Sequence, residues 1–298
     1  MKRSCLILLA FWLVCFAGYF FLLKPYMAWH LQLLFGFFAS LSILALVGSL
    51  RNIVTTWRKT AAIRRAQSGL PPEDGKLAAA IGRIEPDGDP LRSPLSGRPC
   101  VAYDYKIYHE DPMAAHRPER DDNFYGGLAM CPCSIHTPQG KFRLLGFPTL
   151  EHVPPQFRPT TSSRENFAKH AAQAFFEDAR SMKGIWDQLS KVEDILIDDD
   201  GSVRKDLRLG DDPGSWQGVK FREQLVEPGE EVVVLGKFSA LRGGFINESD
   251  LGAVNDLYPG KPREVAKQIR GNTIFLVLFS IAYFSFFHGI LALFVYKS

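Results

Sequence analysis

Three long apolar runs without a charged side chain interrupt the chain of 298 residues. Two of them, residues 4–23 and 31–50, hold 20 residues each, and the third holds the 26 residues between Arg270 and Lys297, where we expect a helix at 272–295. A helix of about 20 apolar residues crosses the roughly 30 Å hydrocarbon core of a bilayer. The pattern predicts three transmembrane helices and excludes a wholly soluble protein. A cleaved signal peptide is the alternative for the first run, although such apolar regions usually hold only about 7–15 residues.

Residues 76–260 show a different pattern, in which short alternating segments are separated by turn residues. In residues 100–108, for example, Val101, Tyr103, Tyr105 and Ile107 fall on one face of a strand and Asp104 falls on the other. The sequences Thr-Pro-Gln-Gly at 137–140 and Asp-Asp-Asp-Gly at 198–201 predict two hairpin turns. Strands are predicted at 76–84, 100–108, 128–136, 141–147, 194–197, 202–209, 231–239 and 245–247.

One helix is predicted within this β-rich segment. Ser162 and Glu165 have the spacing of a capping box, and apolar residues then recur at helical spacing to about residue 190, with Gly184 as a possible break. This amphipathic helix, about 163–190, either covers the sheet or presents Phe175, Phe176 and Trp186 to a partner. The predicted fold class is a membrane-anchored α+β protein: three transmembrane helices, and a β-rich soluble domain, an antiparallel barrel or sandwich, with one long amphipathic helix.

Charge indicates the orientation in the membrane. Residues 51–75 are predicted to form a basic juxtamembrane stalk and linker, and a second basic segment precedes the last apolar run. Positive flanks remain on the cytoplasmic side, so the N-terminus and the domain at 76–260 are predicted to be cytoplasmic, in a bacterial plasma membrane. The basic residues expected to face anionic lipids are Arg51, Arg58, Lys59, Arg64, Arg65, Lys261, Arg263, Lys267 and Arg270.

The segment between the basic flanks has the opposite charge. Residues 66–260 hold 22 Lys and Arg against 31 Asp and Glu, a net charge of −9. Such a segment is not suited to nucleic acid, and an anionic membrane surface repels it. Nucleic acid is therefore not an expected partner. The expected partners are the membrane, at the basic flanks, and a protein.

No motif of a known catalytic class is present, so no catalytic residue and no cofactor are predicted, and an enzymatic activity is left uncertain. Cys131, Cys133 and His136 are candidate zinc ligands together with Cys100. Their spacing argues against a zinc site, because structural sites usually pair cysteines two to four residues apart. Cys5 and Cys15 lie in the first predicted transmembrane helix, and the odd number of the remaining three cysteines favours a reducing compartment.

Two motifs carry a resemblance to a known family. Residues 93–103 read SPLSGRPCVAY, and residues 227–236 read EPGEEVVVLG. Together they resemble the GIDE domain, or beside-a-membrane domain, of the mitochondrial E3 ubiquitin ligase (MULAN) family and its bacterial relatives. The resemblance covers about residues 76–250 and implies a β-rich domain next to a membrane. Family ligases carry a RING after the last membrane helix, whereas only Lys297 and Ser298 follow it here, so ubiquitin transfer is not expected of this chain.

These features predict a multi-pass membrane protein whose soluble domain is a non-catalytic binding, sensing or scaffolding module. The expected binding surface is the turn with Pro94, Ser96, Gly97 and Arg98, together with the charged loop 110–126, because recognition usually resides on loops of a rigid scaffold. The alternative is an accessory subunit of a ubiquitin-ligase-like or protease complex, with E3-type activity only through a partner. A transporter or channel component is a third class.

Overall fold

A computed structural model describes residues 3–109, 122–157, 161–178, 201–211, 213, 216–246 and 255–297. The chain divides into two compact units. The helical unit consists of Met1–Thr60 and Ala266–Ser298, and the β unit consists of Ala61–Val265.

Four helices lie in the described residues: α1 (Arg3–Leu23), α2 (Trp29–Gln67), α3 (Thr161–Ala171) and α4 (Pro262–Lys297). Two helices, Trp29–Gln67 and Pro262–Leu293, are long and apolar enough to cross a membrane, whereas α1 has a shorter apolar stretch, Leu9–Leu23. Both long helices extend beyond the predicted spans. The basic residues after position 50 continue α2 because neither Gly nor Pro occurs between Gly48 and Gly69.

The β unit is built around a five-stranded barrel. Its strands, in spatial order, are β1 (Leu77–Pro86), β6 (Cys133–Thr137), β7 (Gly140–Leu145), β13 (Gly244–Ile246) and β12 (Glu231–Ser239), and β12 pairs back with β1. The barrel is mixed rather than antiparallel as predicted, because β13 runs parallel to β7. After β7 the chain adds strands to a second sheet that it began between β1 and β6, and it then returns through β12 to enter β13 in the direction of β7.

Sequence determines two features of this barrel. The Val-rich β12 is buried on both faces from Val232 to Gly236, and it pairs along its edges with β1, β13 and a further strand, β14 (Asp256–Pro259). Gly82 lies where β1 passes from β12 to β6, and a Cβ there would lie 2.0 Å from the carbonyl oxygen of His136. Only glycine permits this close approach, which closes the barrel.

A second sheet of six strands has the spatial order β8, β11, β4, β5, β10, β9. Their bounds are β8 (Gln156–Phe157), β11 (Val219–Val226), β4 (Ala102–His109), β5 (Asp122–Met130), β10 (Val203–Arg208) and β9 (Phe176–Asp178). One face packs Tyr105, Ile107 and Phe221 against Phe167 of α3. A short pair, β2 (Leu91–Arg92) and β3 (Pro99–Cys100), completes the unit.

Most predicted strands are present, with one correction. The predicted strand 128–136 is two strands, because β5 ends at Met130 and β6 begins at Cys133. Pro132 lacks an amide hydrogen and cannot continue a ladder, so the chain passes here from the second sheet to the barrel. The hairpin predicted at 137–140 is confirmed by the pairing of β6 with β7. In the hairpin predicted at 198–201, β10 is present, whereas residues 194–200 lie outside the described residues.

The long helix predicted at 163–190 is wrong in its extent. Helix α3 ends at Ala171, and Phe176–Asp178 form β9, which pairs in parallel with β10. The side chain of Phe176 packs on Phe167 and Tyr125, so burial of this aromatic ring in the sheet overrides the helical periodicity. Residues 179–200 lie outside the described residues.

Candidate functional site

The predicted binding turn at 93–98 is held between β2 and β3. Leu91 and Cys100 are paired in register, and the amide of Ser93 donates to the carbonyl of Arg98 at 3.0 Å. Gly97 has a φ of +69°, a left-handed conformation that favours glycine. The motif SPLSGRPC therefore specifies a closed turn.

A buried carboxylate fixes this turn to the second sheet. Glu223 of β11 accepts hydrogen bonds from the hydroxyl of Ser93 and from the amide of Leu95, the latter at 3.1 Å. Glu223 lies on the same face of β11 as Phe221 and Leu225, and all three side chains are buried. A buried carboxylate is costly unless it is hydrogen-bonded, so the turn and the sheet depend on each other.

Helix α3 and the end of β11 hold the other side of the turn. The amide Nδ2 of Asn166 donates to the carbonyl of Leu95 at 3.1 Å, and Arg98 forms a half-exposed ion pair with Glu227. A Cβ at Gly97 would lie 3.1 Å from Nδ2 of Asn166. Two elements that are distant in sequence, α3 and β11 with the residue that follows it, therefore position this turn.

All four predicted binding residues lie on this turn, but they differ in how exposed they are. Pro94 is buried, whereas Ser96, Gly97 and Arg98 are half-buried. Binding by this surface stays a prediction. Of the loop expected beside it at 110–126, residues 110–121 lie outside the described residues, and residues 122–126 belong to strand β5 rather than to a loop.

A second polar cluster lies beneath α3. One oxygen of the Asp206 carboxylate accepts from the hydroxyl of Tyr105 at 2.9 Å and lies 2.8 Å from Nε2 of His170. The other oxygen accepts from Nε of Arg204 at 2.9 Å. Burial raises the pKa of Asp206, but the bonds from His170 and Arg204 outweigh it, and the net pKa is below its usual range.

The Asp206 cluster is suited to structure rather than to acid-base chemistry. Both carboxylate oxygens are engaged by donors, and burial raises the pKa of Tyr103 and of Tyr105, so both phenols stay protonated. The rings of Tyr103, Tyr105, Phe167 and Phe176 surround the imidazole of His170. The cluster therefore joins α3 to β4 and β10.

The candidate zinc ligands differ in exposure. Cys131 and Cys133 are buried, and burial raises the pKa of both thiols, whereas His136 is exposed near the end of β6. Burial also raises the pKa of Cys100, to about 12. Nowhere in the part of the chain that the structure describes do three His, Cys, Asp or Glu side chains form a group able to hold a metal ion.

The predicted lipid-facing basic residues lie on α2 and at the start of α4. Lys59 is half-buried, and Arg65 pairs with Glu73 of the linker. The others are exposed: Arg51, Arg58, Arg64, Lys261, Arg263, Lys267 and Arg270. Contact with lipid stays a prediction for all nine.

Sequence reasoning did not identify Glu223, Asn166, Asp206 or His170. A signal for Glu223 is present, because it occupies an apolar position in the alternation of Val219, Phe221 and Leu225. An acidic residue among inward-facing apolar residues indicates a buried hydrogen-bonding role. His170 and Asn166 offer no comparable signal, since polar residues are common on an exposed helix.

No family model, no curated protein and no solved structure matches this chain.

Proposed function

We propose that this chain is a multi-pass membrane protein whose β unit is a non-catalytic binding, sensing or scaffolding module. The observation that carries the proposal is the polarity of the helical unit. Its polar side chains pair with one another between helices, and large apolar side chains point outward. A soluble helical protein has the opposite arrangement.

Three polar pairs connect the helices. The hydroxyl of Ser49 in α2 donates to that of Ser280 in α4 at 2.6 Å, and both side chains are buried. Thr56 and Thr273 form a second pair between the same helices, and Tyr19 of α1 hydrogen-bonds to His288 of α4. Hydrogen bonds between helices stabilise membrane bundles because lipid offers no competing partner.

The outward surface of the helical unit is apolar. Exposed side chains include Phe21, Leu22, Leu34, Leu50, Phe275, Leu278, Phe279, Phe286 and Leu293. Apolar surface costs about 25 cal/mol per Å² when water rather than lipid covers it, so this surface favours insertion into a bilayer.

The finer topology rests on charge. With α1 as a third span, all three basic flanks fall on one side of the membrane, which places the N-terminus and the β unit in the cytoplasm. A bacterial plasma membrane is the proposed location. The turn at 93–98 is the proposed binding surface, since a buried carboxylate and α3 hold it rigidly, and the resemblance to the GIDE domain supports a module beside a membrane.

Protease protection tests this topology. Vesicles that contain the full chain are treated with protease in right-side-out and in inverted orientation, with detergent-permeabilised vesicles as the control. We expect residues 66–260 to survive in right-side-out vesicles and to be degraded in inverted ones. The reverse pattern would overturn the cytoplasmic assignment, and release of the intact chain by alkaline carbonate would overturn membrane insertion.

Site-specific photocrosslinking tests the binding role. A photoreactive amino acid replaces Ser96 in one variant and the exposed Lys169 on α3 in a control variant. We expect a discrete crosslinked protein only from position 96, and we expect Arg98→Ala to reduce its yield. A reproducible ligase or protease partner would favour the accessory role, whereas equal labelling from both positions would contradict a specific surface.

A further inference from the structure

The second sheet has one face that α3 does not cover, and β4 and β11 place basic side chains on this face. In antiparallel register, Lys106 of β4 is opposite Arg222 of β11, and Tyr108 is opposite Lys220. These four residues therefore lie on one face, which we call the basic face. Lys106 and Lys220 are exposed, and Tyr108 and Arg222 are half-buried.

Repulsion between these like charges lowers the stability of the folded β unit. Side chains directly opposite one another on antiparallel strands have Cβ atoms about 4.5–5.5 Å apart, and like charges at such positions repel. Lys106 and Arg222 form such a pair, and Lys220 is the diagonal neighbour of Lys106. Three cations thus lie together on two adjacent strands.

Among the described residues, neighbours compensate the charges of Lys106 and Arg222 only in part. No ion pair joins Lys106 or Arg222 to a carboxylate of the described residues, whereas Lys205 on the same sheet lies 3.4 Å from Glu177. The nearby acid is Asp104. Burial raises its pKa, although the positive charges of Lys106 and Arg222 act to lower it. The Nε of Arg222 is buried and has no hydrogen-bond partner among the described residues.

Beside Lys106, strand β5 has a glycine instead of a residue with a side chain. Gly126 of β5 is opposite Lys106 on the other side of β4, and its position lacks a side chain. A Cβ at Gly126 would lie 3.4 Å from Cδ1 of Leu209 and 4.0 Å from Cγ of Lys106, so these two side chains line the space above the glycine.

We propose that the basic face binds the phosphate of an anionic lipid headgroup. A guanidinium group such as that of Arg222 binds phosphate through paired N–H donors, and Lys106 adds a compact charge. The proposal rests on the proposed membrane location. Residues 66–260 carry a net charge of −9, so an anionic leaflet repels the segment as a whole. An anionic headgroup can bind only where the local charge is positive, as it is on the basic face.

The test uses the full chain in nanodiscs of purely zwitterionic lipid and of zwitterionic lipid with phosphatidic acid. Lysines are modified with an amine-reactive reagent, and mass spectrometry measures the rate at each site. We expect modification of Lys106 to slow by about fivefold in the anionic discs, the effect of one basic residue at an anionic surface. Lys169, exposed on α3, is the matched control and should change little.

Variants then distinguish binding at the basic face from general electrostatic attraction to the anionic lipid. Arg222→Gln should abolish most of the protection of Lys106, and Arg222→Lys should retain part of it, whereas Arg242→Gln on the β12–β13 turn should leave it unchanged. Equal modification of Lys106 in the two kinds of nanodisc would overturn the proposal. Inorganic phosphate that protects Lys106 equally well in zwitterionic discs would overturn the lipid source.

This outcome is distinguishable from failure of the proposed function. A chain that is not a membrane protein would not integrate into either kind of nanodisc. A chain that integrates but shows no protection at Lys106 would remain a membrane protein without this lipid site.

Discussion

At the scale of single residues, Glu223 connects the most distinctive motif of the sequence to the fold. Ser93 is 130 positions away in sequence and Leu95 is 128 away, yet both donate to its carboxylate. Because each bond satisfies a buried donor, loss of the carboxylate would leave both donors without a partner. The turn that we propose for binding is therefore only as rigid as this contact.

Substitution Glu223→Ala should loosen the turn by about 2–3 kcal/mol, the cost of leaving buried polar groups unsatisfied. The rate at which a thiol reagent labels Cys100 in the native protein reports this opening, because Cys100 is buried and its pKa is raised to about 12. Labelling should accelerate at least roughly tenfold. Glu231→Gln, at an exposed position on β12, is the control, and equal labelling of the two variants would refute the role of Glu223.

At the scale of elements, a hydrogen-bond network around Asp206 helps to join the short helix α3 to the second sheet. It is an 11-residue helix with Phe167 and Ser163 as its buried residues. Helices of this length are marginal alone, so tertiary contacts must maintain it. The contact of His170 with Asp206 supplies one of them, and it also fixes Asn166 beside the turn at 93–98.

The Asp206 network predicts a pH dependence. Its pKa in the folded state lies below the ordinary value of 3.8, so its contribution to stability is fully present above about pH 5 and is lost as the pH falls through the folded pKa. Asp206→Asn should therefore lower the free energy of unfolding by about 2 kcal/mol at pH 7, and the difference from wild type should shrink below pH 4. Thermal unfolding from pH 7 to pH 3 measures this. The exposed Asp89→Asn serves as control, and a pH-independent difference would contradict the assignment.

At the scale of the whole molecule, the two units follow opposite rules of burial. The β unit buries apolar residues in two clusters, one in the barrel and one between the second sheet and α3. The helical unit exposes its large apolar side chains and pairs its hydroxyl groups between helices. Each unit therefore has the burial pattern of a different solvent, water for the β unit and, as we propose, lipid for the helical unit.

The Ser49–Ser280 pair gives a quantitative test of this difference. A double-mutant cycle with Ser49→Ala and Ser280→Ala, measured by unfolding of the full chain in bicelles, should yield a coupling energy of about 0.6 kcal/mol. The matched cycle pairs Ser49 with Ser285, which is exposed on α4, and should yield no coupling. Indistinguishable values in the two cycles would show that the pair does not form in the bilayer.

Sequence alone determined the features that depend on local spacing. The apolar runs led to the two long helices, the Val-rich segment to β12, and the turn residues at 137–140 to the hairpin between β6 and β7. In each case the signal lies within a few tens of neighbouring residues. Periodicity and turn propensity act over that range.

Tertiary structure alone decided the features that depend on contacts between distant segments. It ended α3 at Ala171 and made Phe176 part of a strand, set β13 parallel to β7, and brought Glu223 to the turn at 93–98. It also placed Lys106 opposite Arg222, although each residue alone reads as an ordinary surface cation. Register and partner choice arise when the whole chain buries its apolar surface at once, so no local pattern specifies them.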